Sequence, residues 1–104
     1  MKPSIYLLFC TSKKEAEKIR EVLLEKRLIV CGGTIDIKHS KYWWKRLIEV
    51  ASDEVLLLME SQEENLLVIE KEVRKYHSHK TFVLMALPIK TTVDVKKWLK
   101  EELK

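Results

Sequence analysis

The sequence predicts an α+β domain, and three observations carry that prediction. Short apolar runs of strand-forming composition alternate with longer segments whose apolar residues recur at helical spacing. Two of those runs end in a serine followed three residues later by glutamate, a helix-start signature: Ser12 with Glu15, and Ser61 with Glu64. Only 2 glycines and 2 prolines occur among 104 residues, so the connections are expected to be short and ordered.

Taken in order, Ile5 to Thr11 is too short an apolar run for a helix and reads as the first strand. Ser12 then starts a helix in which Ala16, Ile19, Val22 and Leu23 mark the buried stripe until about Arg27, while its other face is charged and reads as solvated. A second strand begins at Leu28 to Val30, bends at Gly32-Gly33 and continues through the alternating Thr34 to Lys38. Lys41 to Val50 is aromatic and branched and extends into a hairpin whose turn residues are Ala51-Ser52-Asp53. Glu54 to Glu60 is nearly continuous in apolar residues, as expected of a central strand covered on both faces. Leu66, Ile69, Val73 and Tyr76 define a second helix that ends near His77, and Thr81 to Leu87 forms a last strand stopped by Pro88. A terminal helix starts at Asp94, its expected N-cap, and buries Val95, Trp98 and Leu99. The order βαββαβ plus a C-terminal helix is that of the ferredoxin-like sandwich, with residues 1–104 as one domain. That topology lays the last strand antiparallel beside the first, which brings Cys10 near His77 and His79.

Charge and hydropathy exclude several classes of function. Lys plus Arg number 20 against 16 Asp plus Glu, and the two signs are interspersed without a one-sided basic stripe, so nucleic acid is not an expected partner. The longest apolar runs, Leu7 to Cys10 and Val55 to Met59, fall far short of the roughly 20 residues that span a bilayer, so no membrane partner is expected either. The N-terminal residues lack a signal-peptide cleavage pattern, and Cys10 and Cys31 both read as buried, reduced thiols. A cytoplasmic location follows as the expectation.

The candidate chemistry is concentrated at a few residues. His77 and His79, spaced i, i+2, present two imidazoles on one side of an extended segment, and Cys10 adds a thiol. This set suits copper or zinc and not magnesium or calcium. The competing reading is an inert core cysteine, because no Cys-x-x-Cys or His-Glu-x-x-His spacing accompanies it. His39 stands alone on an expected surface loop. Tyr42, Trp43 and Trp44 are adjacent on a strand and must point to both of its faces, so a second subunit is expected to cover one of them. No glycine-rich phosphate loop or Gly-x-Ser-x-Gly elbow is present, and Thr11-Ser12-Lys13-Lys14 lacks the arginine of an acylphosphatase-type anion loop.

The runs Glu15-Ala-Glu-Lys-Ile19, Leu24-Glu-Lys-Arg-Leu-Ile-Val-Cys31, Tyr42-Trp-Trp44, Glu54-Val-Leu-Leu-Leu58, Ala86-Leu-Pro-Ile89 and Trp98-Leu99 resemble the CutA divalent-cation tolerance proteins in order and spacing. The resemblance implies a PII-like homotrimer of ferredoxin-like subunits, cytoplasmic, non-enzymatic and binding copper or another divalent ion. It places the family's metal-associated cysteine on Cys10 and its histidine on His77. The family's His-Pro-Tyr-Glu-x-Pro stretch reads His77-Ser78-His79-Lys80-Thr81-Phe82 here, and Arg46 replaces the glycine that usually follows Tyr-Trp-Trp. His79 is a further ligand candidate, Tyr42, Trp43 and Trp44 the interface candidates. The alternative reading is a PII-like sensor that binds a small anionic metabolite at the intersubunit cleft through Lys80, Lys90 or Arg46.

Overall fold

From Pro3 to Cys10 the chain runs as strand β1, and every second residue of it is buried: Ser4, Tyr6, Leu8 and Cys10. This alternation divides the sheet into a covered face and an open one. The computed structural model describes residues 1–104. After β1 come α1 (Lys13–Glu25), β2 (Cys31–Trp44), β3 (Leu47–Gln62), α2 (Leu66–Tyr76), β4 (Leu84–Pro88) and α3 (Val93–Glu102). The strands lie in the order β2, β3, β1, β4, each neighbouring pair antiparallel, which is the ferredoxin-like arrangement expected from the sequence.

The core forms where Tyr6, Leu8, Leu57 and Met59 of the sheet meet Ile19 and Leu23 of α1 and Ile69 and Val73 of α2. Each fully buried aliphatic side chain there is worth about 1.5 to 3 kcal/mol of transfer free energy. Helix α1 crosses the sheet so closely that a Cβ on Gly32 would meet Arg20 Cγ at 2.9 Å, which accounts for the glycine. At the other end, Arg27 ties α3 down through the Glu102 carbonyl and carboxylate, both at 2.9 Å, and Leu99 is buried.

The opposite face of the sheet is different. Ile5, Leu7, Phe9, Leu56 and Leu58 are only half-buried, and Ile35, Met85 and Leu87 are exposed. The run Val55 to Met59 is therefore covered on one face of the chain only, contrary to the expectation from its composition.

Several boundaries differ from the sequence reading for identifiable reasons. Gly32 and Gly33 make no bend: neither takes a positive φ, and the β2–β3 register runs through them in step. The irregularity falls at His39, inside β2 and not on a loop, where φ is 57° and the ladder skips from Lys38–Asp53 to Ser40–Ala51. The hairpin turn is Lys45-Arg46, since Ala51, Ser52 and Asp53 stay within β3. Ser61 also stays in β3, where its hydroxyl donates to the Leu28 carbonyl at 2.6 Å, so no second capping box forms. Glu64 instead accepts the Lys2 N–H, and α2 follows a single 3₁₀ turn over Glu63–Asn65. The N-cap of α3 is Thr92, whose hydroxyl accepts the Val95 N–H, and Asp94 lies in the first turn.

Lys45 and Arg46 sit at φ 50° and 68°, the pattern of a type I′ turn that normally carries Asn-Gly. L side chains in this region cost roughly 1 to 2 kcal/mol each. Replacing the pair with Lys45→Asn and Arg46→Gly is expected to stabilise the chain by about 1 kcal/mol, read as a higher urea midpoint at unchanged m. An unchanged midpoint would show that the arm is not tensioned at its turn.

Candidate metal centre

Three elements deliver one polar group each to a single spot beneath the end of β1. Cys10 is the last residue of β1, Glu15 lies in the first turn of α1, and His77 caps α2. One sulfur, one carboxylate oxygen and one imidazole nitrogen lie within 4.8 Å of one another. The sequence dictates this convergence locally. Ser12 caps α1 by accepting the Glu15 N–H at 3.1 Å, which turns the Glu15 side chain back to accept the Thr11 N–H at 2.8 Å.

The histidine is fixed on every side. Its side chain is 2% exposed, its Nδ1 accepts the His79 backbone N–H at 3.0 Å, and its Nε2 lies 2.8 Å from the Phe9 carbonyl. A carbonyl only accepts, so the geometry assigns the proton to Nε2 in the neutral ring. Phe82 stacks on the imidazole at 4.9 Å between centroids, and the Arg74 guanidinium lies over the Phe82 ring at 4.8 Å.

Electrostatics separates the two acids. Burial, aided by the neighbouring Glu15 carboxylate, pushes the Cys10 thiol from 9.0 up to about 12, so it carries its proton at neutral pH. Burial pushes Glu15 upward as well, but hydrogen bonds from the Ser78 hydroxyl and from the Thr11 and Ser78 amides, with His77 nearby, outweigh it and hold the carboxyl below its usual range. Glu15 Oε2 lies 3.6 Å from His77 Nε2.

The donor set fits a thiophilic divalent ion. Thiolate, imidazole and carboxylate together are ligands for zinc or copper, and three protein ligands leave a position open. Each donor already has a hydrogen-bond partner, so an ion would displace the Cys10 proton, and ligation through His77 Nε2 would require the ring proton to move to Nδ1 and the His79 N–H to give up its bond there.

The CutA1 divalent ion tolerance protein family model matches residues 4–102. The chain belongs to the CutA family. The divalent-cation tolerance protein CutA of Thermotoga maritima is 34% identical over 98 residues, which is 93% of this chain and 94% of that protein. The namesake from Archaeoglobus fulgidus is 37% identical over 78 residues, 75% of this chain and 74% of the relative. The solved structure of the periplasmic divalent cation tolerance protein CutA from Archaeoglobus fulgidus superposes with a TM-score of 0.91 at 28% identity, covering 98% of this chain and 99% of that one.

Within this CutA chain, the topology brings Cys10 and His77 together as expected. His79 stands outside the group: it is exposed, its ring centroid lies 5.8 Å from that of His77, and its bonded contact to the site is the backbone N–H. Glu15 is a site residue that the sequence reading misses although its signal is present, because a capping-box glutamate at the end of a strand points back at that strand. Cys31, expected in the core, is exposed on β2 opposite Glu60.

The remaining candidates lie elsewhere. Tyr42, Trp43 and Trp44 occupy the tip of a long β2–β3 arm, with Trp43 opposite Ile48 and Trp44 opposite Leu47. Alternation puts Trp43 and Ile48 on one side of the arm and Tyr42, Trp44 and Leu47 on the other, and all are exposed, Trp43 by 70%. Lys80 lines an open groove against α2 with Leu66, Leu67, Glu70 and Arg74, whereas Arg46 and Lys90 do not line it. The Arg74 guanidinium is already engaged there by Glu70 and the Lys80 carbonyl.

Proposed function

We propose that this CutA-family chain is a non-enzymatic, cytoplasmic homotrimer that binds a thiophilic divalent ion, zinc or copper, in divalent-cation tolerance. The observation that carries the metal reading is the convergence of Cys10, Glu15 and His77 ligand atoms within 4.8 Å. Cys10 supplies the thiolate, His77 the imidazole and Glu15 a carboxylate oxygen. The bound ion is the cargo, held by soft and borderline donors, and nothing in the proposal requires it to be turned over.

Self-association is supported by surface that a lone chain leaves uncovered. The open sheet face carries half-buried and exposed aliphatic residues, and the arm exposes Trp43, Trp44, Leu47 and Ile48. The sheet also ends in two different free edges, β2 and β4. Pairing one edge with the other is a head-to-tail contact, and a three-fold rotation between copies would close it as a ring with no edge open. The aromatic residues Tyr42, Trp43 and Trp44 are proposed as anchors of that interface.

Calorimetric titration of the reduced protein with zinc, beside light scattering, tests the reading. Because the Cys10 thiol is held up to about 12, it is protonated throughout the neutral range and must lose that proton to bind. Zinc affinity is therefore expected to rise by about tenfold per pH unit across neutral pH, with proton release on binding. An affinity independent of pH above neutrality would remove Cys10 from the site.

A further inference from the structure

We infer that Ser78 is a positioning residue for the metal centre, orienting the Glu15 carboxylate so that one chosen oxygen faces the ion; this rests on the metal reading above. The two oxygens of Glu15 have separate partners. Oε1 accepts both the Ser78 N–H, at 2.7 Å, and the Ser78 hydroxyl. Oε2 accepts the Thr11 N–H at 2.8 Å and keeps its remaining lone pair on the side of His77 Nε2, 3.6 Å away. A carboxylate can rotate to offer either oxygen, and the paired bonds from Ser78 remove that freedom.

The hydroxyls are ordered as well. The Ser78 hydroxyl donates to Glu15, so the Thr11 hydroxyl, 2.9 Å away, donates to Ser78 Oγ. Thr11, Ser78 and Glu15 form one directed chain in which each bond polarises the next. The neighbouring amide acts in parallel, since the His79 N–H bonds Nδ1 of His77 and holds the ring with its Nε2 edge toward Glu15. Consecutive backbone N–H groups thus set both flexible ligands, one through a carboxylate and one through an imidazole. A proline at position 78 would have no N–H and no hydroxyl and would offer neither bond to Glu15.

The test is metal binding by the full-length reduced protein and its Ser78→Ala and Ser78→Thr variants. Zinc is titrated by calorimetry, and cobalt(II) serves as a spectroscopic probe of coordination geometry. Ser78 is exposed, so neither change is expected to alter the mass in solution; Ser78→Ala gives up one hydroxyl bond to Glu15 and is expected to lower the melting temperature slightly, without unfolding the chain. Ser78→Ala is expected to weaken zinc binding by about 10- to 100-fold, the usual range for losing a group that holds a ligand. It should also change the cobalt d–d spectrum, while Ser78→Thr, which keeps the hydroxyl, restores both. Wild-type affinity and an unchanged cobalt spectrum in Ser78→Ala overturn the inference and leave the metal reading standing. Absence of any zinc or cobalt binding by the unsubstituted protein overturns the metal reading, and this inference with it.

Discussion

Leu58→Glu is expected to convert the proposed trimer to single folded chains of 12.4 kDa. Leu58 lies mid-sheet on the open face, paired with Leu7 of β1 on one side and Gly33 of β2 on the other. It is half-buried in the chain, so a glutamate there reaches water while the chain is alone and loses it when copies close on the face. Removing the apolar contact and burying a charge together disfavour association by at least about 3 kcal/mol per copy, roughly a hundredfold in each contact constant. The core on the other face does not involve this side chain, so far-ultraviolet circular dichroism should be unchanged. Leu57→Glu is the informative control. Leu57 is fully buried against the helices, and charging it should unfold the protein outright. Retention of a trimer mass by Leu58→Glu would mean that the open face is not where copies meet.

Cys10→Ser and His77→Ala are each expected to weaken zinc binding by at least about a hundredfold, because each removes one of the three proposed ligands. The serine replacement is close to isosteric and exchanges a soft donor for a hard one, so it tests chemistry with little change in packing. His77→Ala is more disruptive. It leaves the Phe9 carbonyl and the His79 N–H without their partner, which costs about 1 to 3 kcal/mol for each group that stays dry. Both melting temperatures should fall, that of Cys10→Ser because its hydroxyl is buried in the core, so circular dichroism must show each variant folded at the titration temperature. Loss of binding in both variants while each remains folded separates ligation from folding. Undiminished binding in Cys10→Ser would show that the ion is held elsewhere.

Much of the architecture is legible in the sequence, and the parts that are not share a cause. The short apolar run Ile5 to Thr11 and the helical spacing in Ala16 to Leu23 are local signals, and the strand and helix they mark are where expected. The arm misleads because its turn is made by Lys45 and Arg46, which carry no turn signature, while Ala51-Ser52-Asp53 carries one and remains extended. Ser61 reads as a cap but is held in β3 by Leu28, a partner 33 residues away that no local pattern reveals. The open face is hidden for a related reason. A run such as Val55 to Met59 has the same composition whether its second face meets a helix or another chain. At the site, strand order places Cys10 beside His77, and the direction of the capping glutamate is the unused clue to Glu15. The role of Ser78 depends on a hydrogen bond across 63 residues and is not legible at all.

X-ray absorption at the zinc edge of the reduced, zinc-loaded protein tests the central claim most directly, since it reads ligand identity. The geometry predicts a shell with one sulfur at about 2.3 Å and nitrogen or oxygen neighbours at about 2.0 to 2.2 Å, the sulfur contribution vanishing in Cys10→Ser. A shell of nitrogen and oxygen alone, identical in the two proteins, would contradict a metal centre built on Cys10, Glu15 and His77.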